Sequence, residues 1–181
     1  MGPAEVIAFW RQAGPDKWYA KDEAFDAEIR ERFEDLHHSA ARGELADWEA
    51  DWQGALALLI LLDQFPRNMF RGSAHAFATD PLARSVTEAA LDVGLDQQCP
   101  AELRVFFYMP LEHSEMLADQ DRCVTLCEAL DAASGSEWAK WARLHRDIIA
   151  RFRRFPHRNA ALGRRATDEE REFLDQGGFG G

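Results

Sequence analysis

The most constraining feature of the sequence is an uninterrupted run of eight apolar residues, ALALLILL, at positions 55–62. A helix built from this run has no polar face, so it must lie at the centre of a fold rather than on its surface. The run is too short for a membrane span, which needs about 18 apolar residues. We therefore predict a central helix from about Asp51 to Phe65, ended by Pro66.

Helical periodicity and helix end signals recur along the rest of the chain, and no segment shows the alternation of a strand. The pattern predicts an all-α fold of about eight helices, with short connections that favour stacked antiparallel hairpins. The sixth helix is expected to start at Ser114, and the seventh to run from a Ser136 cap to Phe155. Residues 167–170 match a capping box, Thr167 with Glu170, so a last short helix is expected to follow. We expect residues 1–176 to form one domain, followed by a flexible glycine-rich tail at 177–181.

Charge is unevenly distributed along the 181 residues, which carry 21 Lys and Arg against 32 Asp and Glu, a net charge of -11. Residues 136–181 alone carry 10 basic and 7 acidic side chains. The acidic majority argues against nucleic acid as a partner, since such binding depends on neutralising phosphates. The arginines of the last part of the chain favour a local anion site.

The remaining composition excludes several classes of protein. The three cysteines do not make an even disulfide framework, and we predict that Cys123 and Cys127 are core thiols on one helix face. No signal peptide, membrane span or metal-ligand spacing is recognisable, so we expect a cytoplasmic protein without metal, cofactor or membrane partner. Six Trp and 12 Phe leave room for an apolar interface in a homodimer.

Asp63 is the first polar residue that breaks an apolar pattern. It follows the apolar run and lies at the C-terminal end of the predicted helix, where the helix dipole disfavours a negative charge. Burial of a carboxylate adds a second cost, so a cationic partner is expected. Arg67 and Arg71 are nearest in sequence, and Arg158 is the alternative through the fold. The residue is either half of a buried ion pair or a carboxylate facing a ligand pocket.

Two histidines break the pattern in the second half of the chain. His145 is the only ionisable residue on the predicted stripe of the seventh helix, Trp138, Trp141, Ile148, Phe152 and Phe155, and imidazole exchanges protons near neutral pH. His113 precedes Ser114 and Glu115, which suit a helix start. Capping does not explain His113, or Gln120 further along. Each histidine is either a satisfied core group or an acid–base group.

Two corners share a pattern, QFPRN at 64–68 and RFPHRN at 154–159. In each, a helix is expected to end at Phe-Pro, and an Arg-Asn pair follows. Asn tolerates a left-handed turn, and Arg can satisfy carbonyl groups at a helix end or grip an anion with two donors. The corners are either structural helix ends or, if they face one cavity, an anion site.

Several blocks together resemble a bacterial family of unknown function, the domain-of-unknown-function family number nine hundred and twenty-four. They are LLDQFPRNMFRG (61–72), AFATD (76–80), FFYMPLEHSE (106–115) and RFPHRNAALGR (154–164), with FW at 9–10 and WYAKDEAFD at 18–26. The resemblance implies a tetratricopeptide-like stack of helical hairpins and no established activity. Arg153 departs from the family, which often has Gly there. The motif positions are Asp63, Gln64, Pro66, Arg67, Asn68, Arg71, His113, Ser114, Glu115, His145, Pro156, His157, Arg158, Asn159 and Arg164.

Three functional hypotheses follow. The first is a binding or scaffold protein, whose helical stack holds a peptide or a small anion in a polar pocket. The second is an enzyme that acts on a small anionic substrate by acid–base chemistry. The third is a purely structural polar network. The catalytic candidates are Asp63, His113, Glu115 and His145. The ligand-binding candidates are Arg67, Asn68, Arg71, His157, Arg158, Asn159 and Arg164.

Overall fold

The computed structural model describes residues 1–180, and within them all regular secondary structure is helical, which confirms the all-α prediction. Gly181, the last residue of the predicted tail, lies outside the described residues. None of the helices in residues 1–180 combines the length and hydropathy needed to cross a bilayer.

The α-helices are α1 Pro3–Ala13, α2 Pro15–Trp18, α3 Glu23–Ala41, α4 Trp52–Leu59, α5 Phe65–Met69, α6 Asp80–Asp92, α7 Leu95–Gln98, α8 Ala101–Arg104, α9 Met109–Glu112, α10 Leu117–Ser134, α11 Trp138–Phe152 and α12 Asp168–Asp175. Single 3-10 turns are formed by Ala46–Ala50, Ala74–Phe77, Val105–Phe107 and Pro156–Arg158.

The chain divides into two compact units, which we describe separately. Unit 1 comprises Met1–Arg71 and His75–Pro110. Unit 2 comprises Gly72–Ala74 and the described residues from Leu111 onward. The single domain predicted for residues 1–176 stays a prediction.

The apolar run lies at the centre of unit 1, as predicted. All side chains from Ala55 to Leu62 are buried, and α4 packs against α1 and α6. Gly54 lets α4 approach the turn before it, because a Cβ there would lie 2.0 Å from the carbonyl oxygen of Trp48. This glycine is therefore required by close contact between two backbone segments.

Pro66 does not end the central helix, so that prediction is wrong. The chain passes from α4 through a π-helical turn, Ile60–Gln64, directly into α5. The wider turn pairs the Phe65 N–H with the carbonyl of Ile60. Pro66 cannot donate to the carbonyl of Leu62, but the Thr79 hydroxyl donates to that oxygen at 2.5 Å. A side chain from outside the helix thus satisfies the acceptor that the proline leaves.

Helices α10 and α11 form an antiparallel hairpin in unit 2. Arg146 bonds Asp121 at 2.9 Å, and Arg143 bonds Glu128 at 2.6 Å, so positions later in α10 meet positions earlier in α11. Their side chains are exposed, and such surface pairs contribute little to stability. The buried face supplies the stability and consists of Gln120, Cys123, Cys127 and Leu130 from α10 and Ala139, Ala142, His145, Ile148 and Ile149 from α11.

Three details of this hairpin correct the sequence predictions. The α11 N-terminus is capped by Asp131 of α10, whose carboxylate accepts from the Trp138 and Ala139 N–H groups at 2.9 Å, rather than by Ser136. Helix α10 begins at Leu117 rather than Ser114. Trp141, predicted on the buried stripe, is 46 % exposed. The cap that fixes α11 comes from another helix, so local sequence signals do not reveal it.

Helix α11 ends at Phe152, before the predicted end at Phe155. The helix stops because Arg153 adopts a left-handed conformation with φ 60°, and its N–H bonds the carbonyl of Ile149 at 2.8 Å. It is the one non-glycine residue with positive φ in residues 1–180. Glycine normally fills such a helix-terminating position, so Arg153 holds a conformation that favours glycine.

Candidate functional site

The first Phe-Pro corner lies in unit 1 and forms an internal ion pair. Asp63 is 1 % exposed, and its Oδ1 lies 3.2 Å from Nη1 of Arg67. The same guanidinium donates to the Asp63 carbonyl oxygen at 2.5 Å and to both carboxylate oxygens of Asp80. Gln64 donates to the other Asp63 oxygen at 2.6 Å. Arg67, one of the predicted cationic partners, therefore binds Asp63.

Two further ligand-binding candidates near the first corner, Asn68 and Arg71, bind a carboxylate that the sequence analysis did not single out. Arg71 grips Asp26 through Nε and Nη2, at 2.9 and 3.0 Å. Asn68 donates to the same carboxylate at 2.8 Å. Asp26 lies on α3 beside the core residue Phe25 and is 9 % exposed. A carboxylate next to an apolar stripe was the available signal, since burial requires a partner.

The second Phe-Pro corner lies in unit 2 and is held by Arg164. This guanidinium binds both oxygens of Glu115, at 2.7 and 3.0 Å, and the carbonyl oxygen of Phe155. Its Nε donates to Asn159 at 2.9 Å. Burial raises the pKa of Glu115, but hydrogen bonds from Arg164 and the Phe155 N–H outweigh that effect and hold the pKa below its usual value.

Glu170 of α12 continues this network. It forms the predicted capping box with Thr167 and also accepts from Arg154 at 2.6 and 2.8 Å and from Asn159 at 3.2 Å. The Arg154 hydrogen bond lowers the pKa of Glu170 from 4.5 to about 2, against the effect of burial. The sequence predicted the cap but not this second role, because Arg154 is distant along the chain.

His145 of α11 forms a pair with Glu112 of α9, and sequence reasoning missed Glu112. Nδ1 of His145 lies 2.9 Å from Oε1 of Glu112 and 2.9 Å from the carbonyl oxygen of Trp141. Both neighbours are acceptors, so Nδ1 carries the ring proton and Nε2 carries the lone pair of the neutral ring. Gln120 fixes the backbone beside Glu112, donating to its carbonyl oxygen and to that of Ser114 at 2.6 and 2.7 Å.

Three histidines of unit 2 come together with two phenylalanines, and we call this set the histidine cluster: His113, His145, Phe155, His157 and Phe179. The ring centre of His145 lies 6.5 Å from that of His113 and 4.5 Å from that of Phe179. His157 lies 5.5 Å from Phe155 and 5.3 Å from Phe179. Arg158, which is buried, places its guanidinium 4.5 Å from the centre of the Phe155 ring.

The predicted site residues are thus distributed over both units. Asp63, Arg67, Asn68 and Arg71 are in unit 1, each bound to side chains of that unit. Glu115, Asn159 and Arg164 form the second network, and His113, His145 and His157 form the histidine cluster. That Arg67 and Arg158 face one cavity stays a prediction. A hollow of about 330 Å³ on the surface of α3 is lined by none of these candidates but by Ala27, Arg30, Glu31, Glu34 and Asp35.

Within residues 1–180, no three His, Cys, Asp or Glu side chains are grouped so that they could hold a metal ion. Cys123 and Cys127 have their sulfur atoms 3.9 Å apart and are fully buried. The hydrogen bond with Cys127, together with burial, raises the pKa of Cys123. These thiols are core residues, as the sequence predicted.

Comparison with known proteins gives one family and one structural neighbour of high similarity. Residues 6–178 match the model of DUF924, described as a bacterial protein of unknown function. A solved structure of a protein of unknown function from Agrobacterium tumefaciens is similar, with a TM-score of 0.91, 49 % identity and 97 % of each chain covered. Among curated proteins, no significant match was found.

Proposed function

We propose that this protein, which belongs to the DUF924 family of bacterial proteins, binds a small anionic ligand. The protein would be a stack of antiparallel helical hairpins of the tetratricopeptide type, working in the cytoplasm. The α10–α11 hairpin supports the proposed stack of hairpins, because it has the antiparallel arrangement of one repeat of such a stack. An odd number of buried cysteines suits a reducing compartment.

We place the ligand site at the histidine cluster and the adjacent Arg158 rather than at Arg67, Arg71 and Arg164. Arg71 and Arg164 each bind an internal carboxylate through two donors, and Arg67 binds two carboxylates. A ligand would have to displace these partners, which are already in good geometry. Arg67, Arg71 and Arg164 therefore serve as structural supports in this proposal, and the histidines of unit 2 serve as the binding groups.

The observation that carries the proposal is the orientation of His145. Because Glu112 and the Trp141 carbonyl both accept from Nδ1, the ring is held in one orientation, and in the imidazolium form its Nε2–H is the remaining donor for an anion. His157 and the Arg158 guanidinium lie against the ring of Phe155, and His113 lies beside His145 itself. Imidazolium and guanidinium groups bind anions through charge-assisted hydrogen bonds. The basic excess of residues 136–181 adds a favourable local field.

The proposal is tested by calorimetric titration of the full chain with inorganic phosphate at pH 6. We expect His145→Gln to weaken phosphate binding about tenfold, which is the loss of one charge-assisted hydrogen bond. The matched control is His38→Gln, which changes an exposed histidine of α3 in unit 1. An unchanged affinity in His145→Gln, or a wild-type chain that binds no phosphate, contradicts the proposal.

A second candidate function is acid–base catalysis on a small anionic substrate, and the Glu112–His145 pair favours it. A carboxylate on Nδ1 stabilises the imidazolium that forms when Nε2 accepts a proton, which is how carboxylate–histidine pairs work in hydrolases. His113, whose ring centre lies 6.5 Å from that of His145, is the second candidate for proton exchange. Asp63, the remaining catalytic candidate, is paired with Arg67 in unit 1 and has no role in this proposal.

The two functions are separated by Glu112→Gln. If the protein is an enzyme, this variant keeps the affinity for an anionic substrate but loses turnover, because the amide no longer stabilises a protonated His145. Turnover is followed with a panel of small phosphate and carboxylate esters. Binding of the panel without turnover by the wild-type chain excludes catalysis on these substrates and leaves the binding role.

A further inference from the structure

Phe179 is held in the histidine cluster by its ring. Its centroid lies 4.5 Å from that of His145, with the planes at 69°, and 5.3 Å from that of His157, with the planes at 78°. Within residues 1–180, neither Phe179 nor Gly180 makes a main-chain hydrogen bond outside helices. The ring therefore occupies its position through edge-to-face contacts, while its backbone is not tied down.

Two glycines bring this ring back to the cluster after α12. Gly177 has φ 81°, which a residue with a side chain rarely adopts. Gly178 donates to the Phe173 carbonyl oxygen at 2.9 Å, and a Cβ on it would lie 2.5 Å from that oxygen and 2.6 Å from the Phe173 ring. We call residues 177–179 the strap. Its course depends on the absence of both side chains.

The position that Phe179 fills has the properties of a site for a flat ring. Two imidazoles present their edges or faces to it, and Phe155 contacts both of them, at 5.6 Å from His145 and 5.5 Å from His157. Such edge-to-face contacts favour an aromatic ring over an aliphatic group of equal size. Phe179 is only partly buried, so the position opens to solvent once the strap moves.

We propose that Phe179 is a built-in occupant of the ligand position, and that the ligand is a small aromatic compound with an anionic group, which displaces Phe179 when it binds. This inference rests on the proposed function, since it names the ligand class and the gate of the same site. The aromatic ring takes the place of Phe179, and the anionic group meets the imidazoles and Arg158. Because the ligand binds only when the strap is open, the apparent affinity equals the intrinsic affinity multiplied by the fraction of molecules whose strap is open.

The experiment compares phenylacetate and cyclohexylacetate, two carboxylates that differ in having a flat or a puckered ring. Each is titrated calorimetrically into the wild-type chain, Gly178→Ala and Gly180→Ala. In Gly178→Ala the new methyl group clashes with Phe173 and releases the strap, while Phe179 remains in the chain. Gly180→Ala is the matched control, because a Cβ there meets nothing within 4 Å and the φ of Gly180 is not positive.

We expect phenylacetate to bind Gly178→Ala about tenfold more tightly than the wild-type chain, corresponding to a strap that is open about one tenth of the time. Gly180→Ala should match the wild type, and cyclohexylacetate should gain no comparable affinity. Equal phenylacetate affinity in all three chains overturns the strap, and equal gains for both probes overturn the aromatic selectivity. Either result leaves the His145-dependent phosphate binding of the proposed function in place, and the loss of that binding is a separate failure.

A 4-fluoro label on the Phe179 ring gives a second readout that holds if Gly178→Ala folds poorly. In the wild-type chain, saturating phenylacetate should move the fluorine signal to that of a solvent-exposed ring. A signal that stays at its ligand-free position while phenylacetate binds overturns the displacement.

Discussion

The hydroxyl of Thr79 donates to the carbonyl oxygen of Leu62 across 2.5 Å, and this bond satisfies the acceptor that Pro66 leaves without an intrahelical donor. The neighbouring carbonyl, that of Leu61, accepts from His37 at 2.8 Å. The central helix can therefore continue through a proline because two other elements supply the missing donors. The cost of a proline within a helix, about 3 kcal/mol in isolation, is offset by tertiary contacts.

We predict that Thr79→Val destabilises the protein by about 1–3 kcal/mol, because it leaves the Leu62 carbonyl buried without a donor. Thr79→Ser should restore most of the stability. The control is Thr87→Val: the Thr87 hydroxyl is fully buried and, within residues 1–180, has no hydrogen-bond partner, so this variant should be neutral or stabilising. Urea unfolding measures each value, and equal effects at the two positions would contradict the role of Thr79.

Arg153→Gly is expected to stabilise the protein by about 0.5–1 kcal/mol. Glycine adopts the left-handed conformation at the end of α11 without the steric cost that a Cβ imposes, although it also raises the entropy of the unfolded chain. Arg153→Ala keeps the Cβ and should bring no gain. Thermal unfolding of the three chains decides the matter, and a gain in the alanine variant equal to that in the glycine variant would rule out backbone strain as the cause.

Acid is expected to weaken the fold through Glu170. Its pKa is about 2 in the folded chain against 4.5 as the ordinary value, so its contribution is present above pH 4.5 and is lost as the pH falls towards 2. Glu170→Gln should be less stable at pH 7 and should show a shallower loss between pH 4.5 and 2. Glu172→Gln, an exposed change in the same helix, should follow the wild type. Denaturant unfolding at stepped pH gives both curves, and parallel curves for the wild type and Glu170→Gln would refute the assignment.

His37 acts in a different range of pH. Burial lowers its pKa below the ordinary 6.5, and the hydrogen bond to the Leu61 carbonyl offsets this only in part. A lowered folded-state pKa means that the unfolded chain takes up the proton first, so stability is full above pH 6.5 and declines as the pH falls below it. We expect unfolding between pH 8 and 5 to show this decline, and His37→Gln to reduce it. His38→Gln, a change at an exposed histidine, should leave the decline in stability as in the wild type. If His37→Gln also leaves the decline unchanged, the decline belongs to another group.

The sequence predicted those parts of the structure that depend on local rules. An apolar run with no polar face indicated the buried central helix, and a lone carboxylate at its end indicated an ion pair, which Arg67 completes. Thr167 forms a capping box with Glu170, as the residue spacing indicates. These features each lie within a few turns of one helix, where periodicity and capping preferences apply.

What the sequence did not reveal depends on contacts between distant residues. The π turn exists because side chains from α3 and the start of α6 reach its carbonyls, and the α11 cap is a carboxylate of α10. Glu112 directly follows the apolar stretch at 105–111, and its position four residues after Tyr108 could have marked it as a buried carboxylate. Its pairing with His145, however, requires the fold. Phe179 was predicted to belong to a flexible tail, and its ring contacts give it a place in the site proposed above.

The six histidines allow one direct test of the central claim, that the histidine cluster is the ligand site. His113, His145 and His157 lie in unit 2, and His37, His38 and His75 lie in unit 1, so the second set is an internal control. Nitrogen-15-labelled imidazoles are followed by NMR while inorganic phosphate is added to the wild-type chain. The account predicts saturable shifts in the three unit 2 signals and none in the unit 1 signals. Equal shifts in all six, or none in His145, would contradict it.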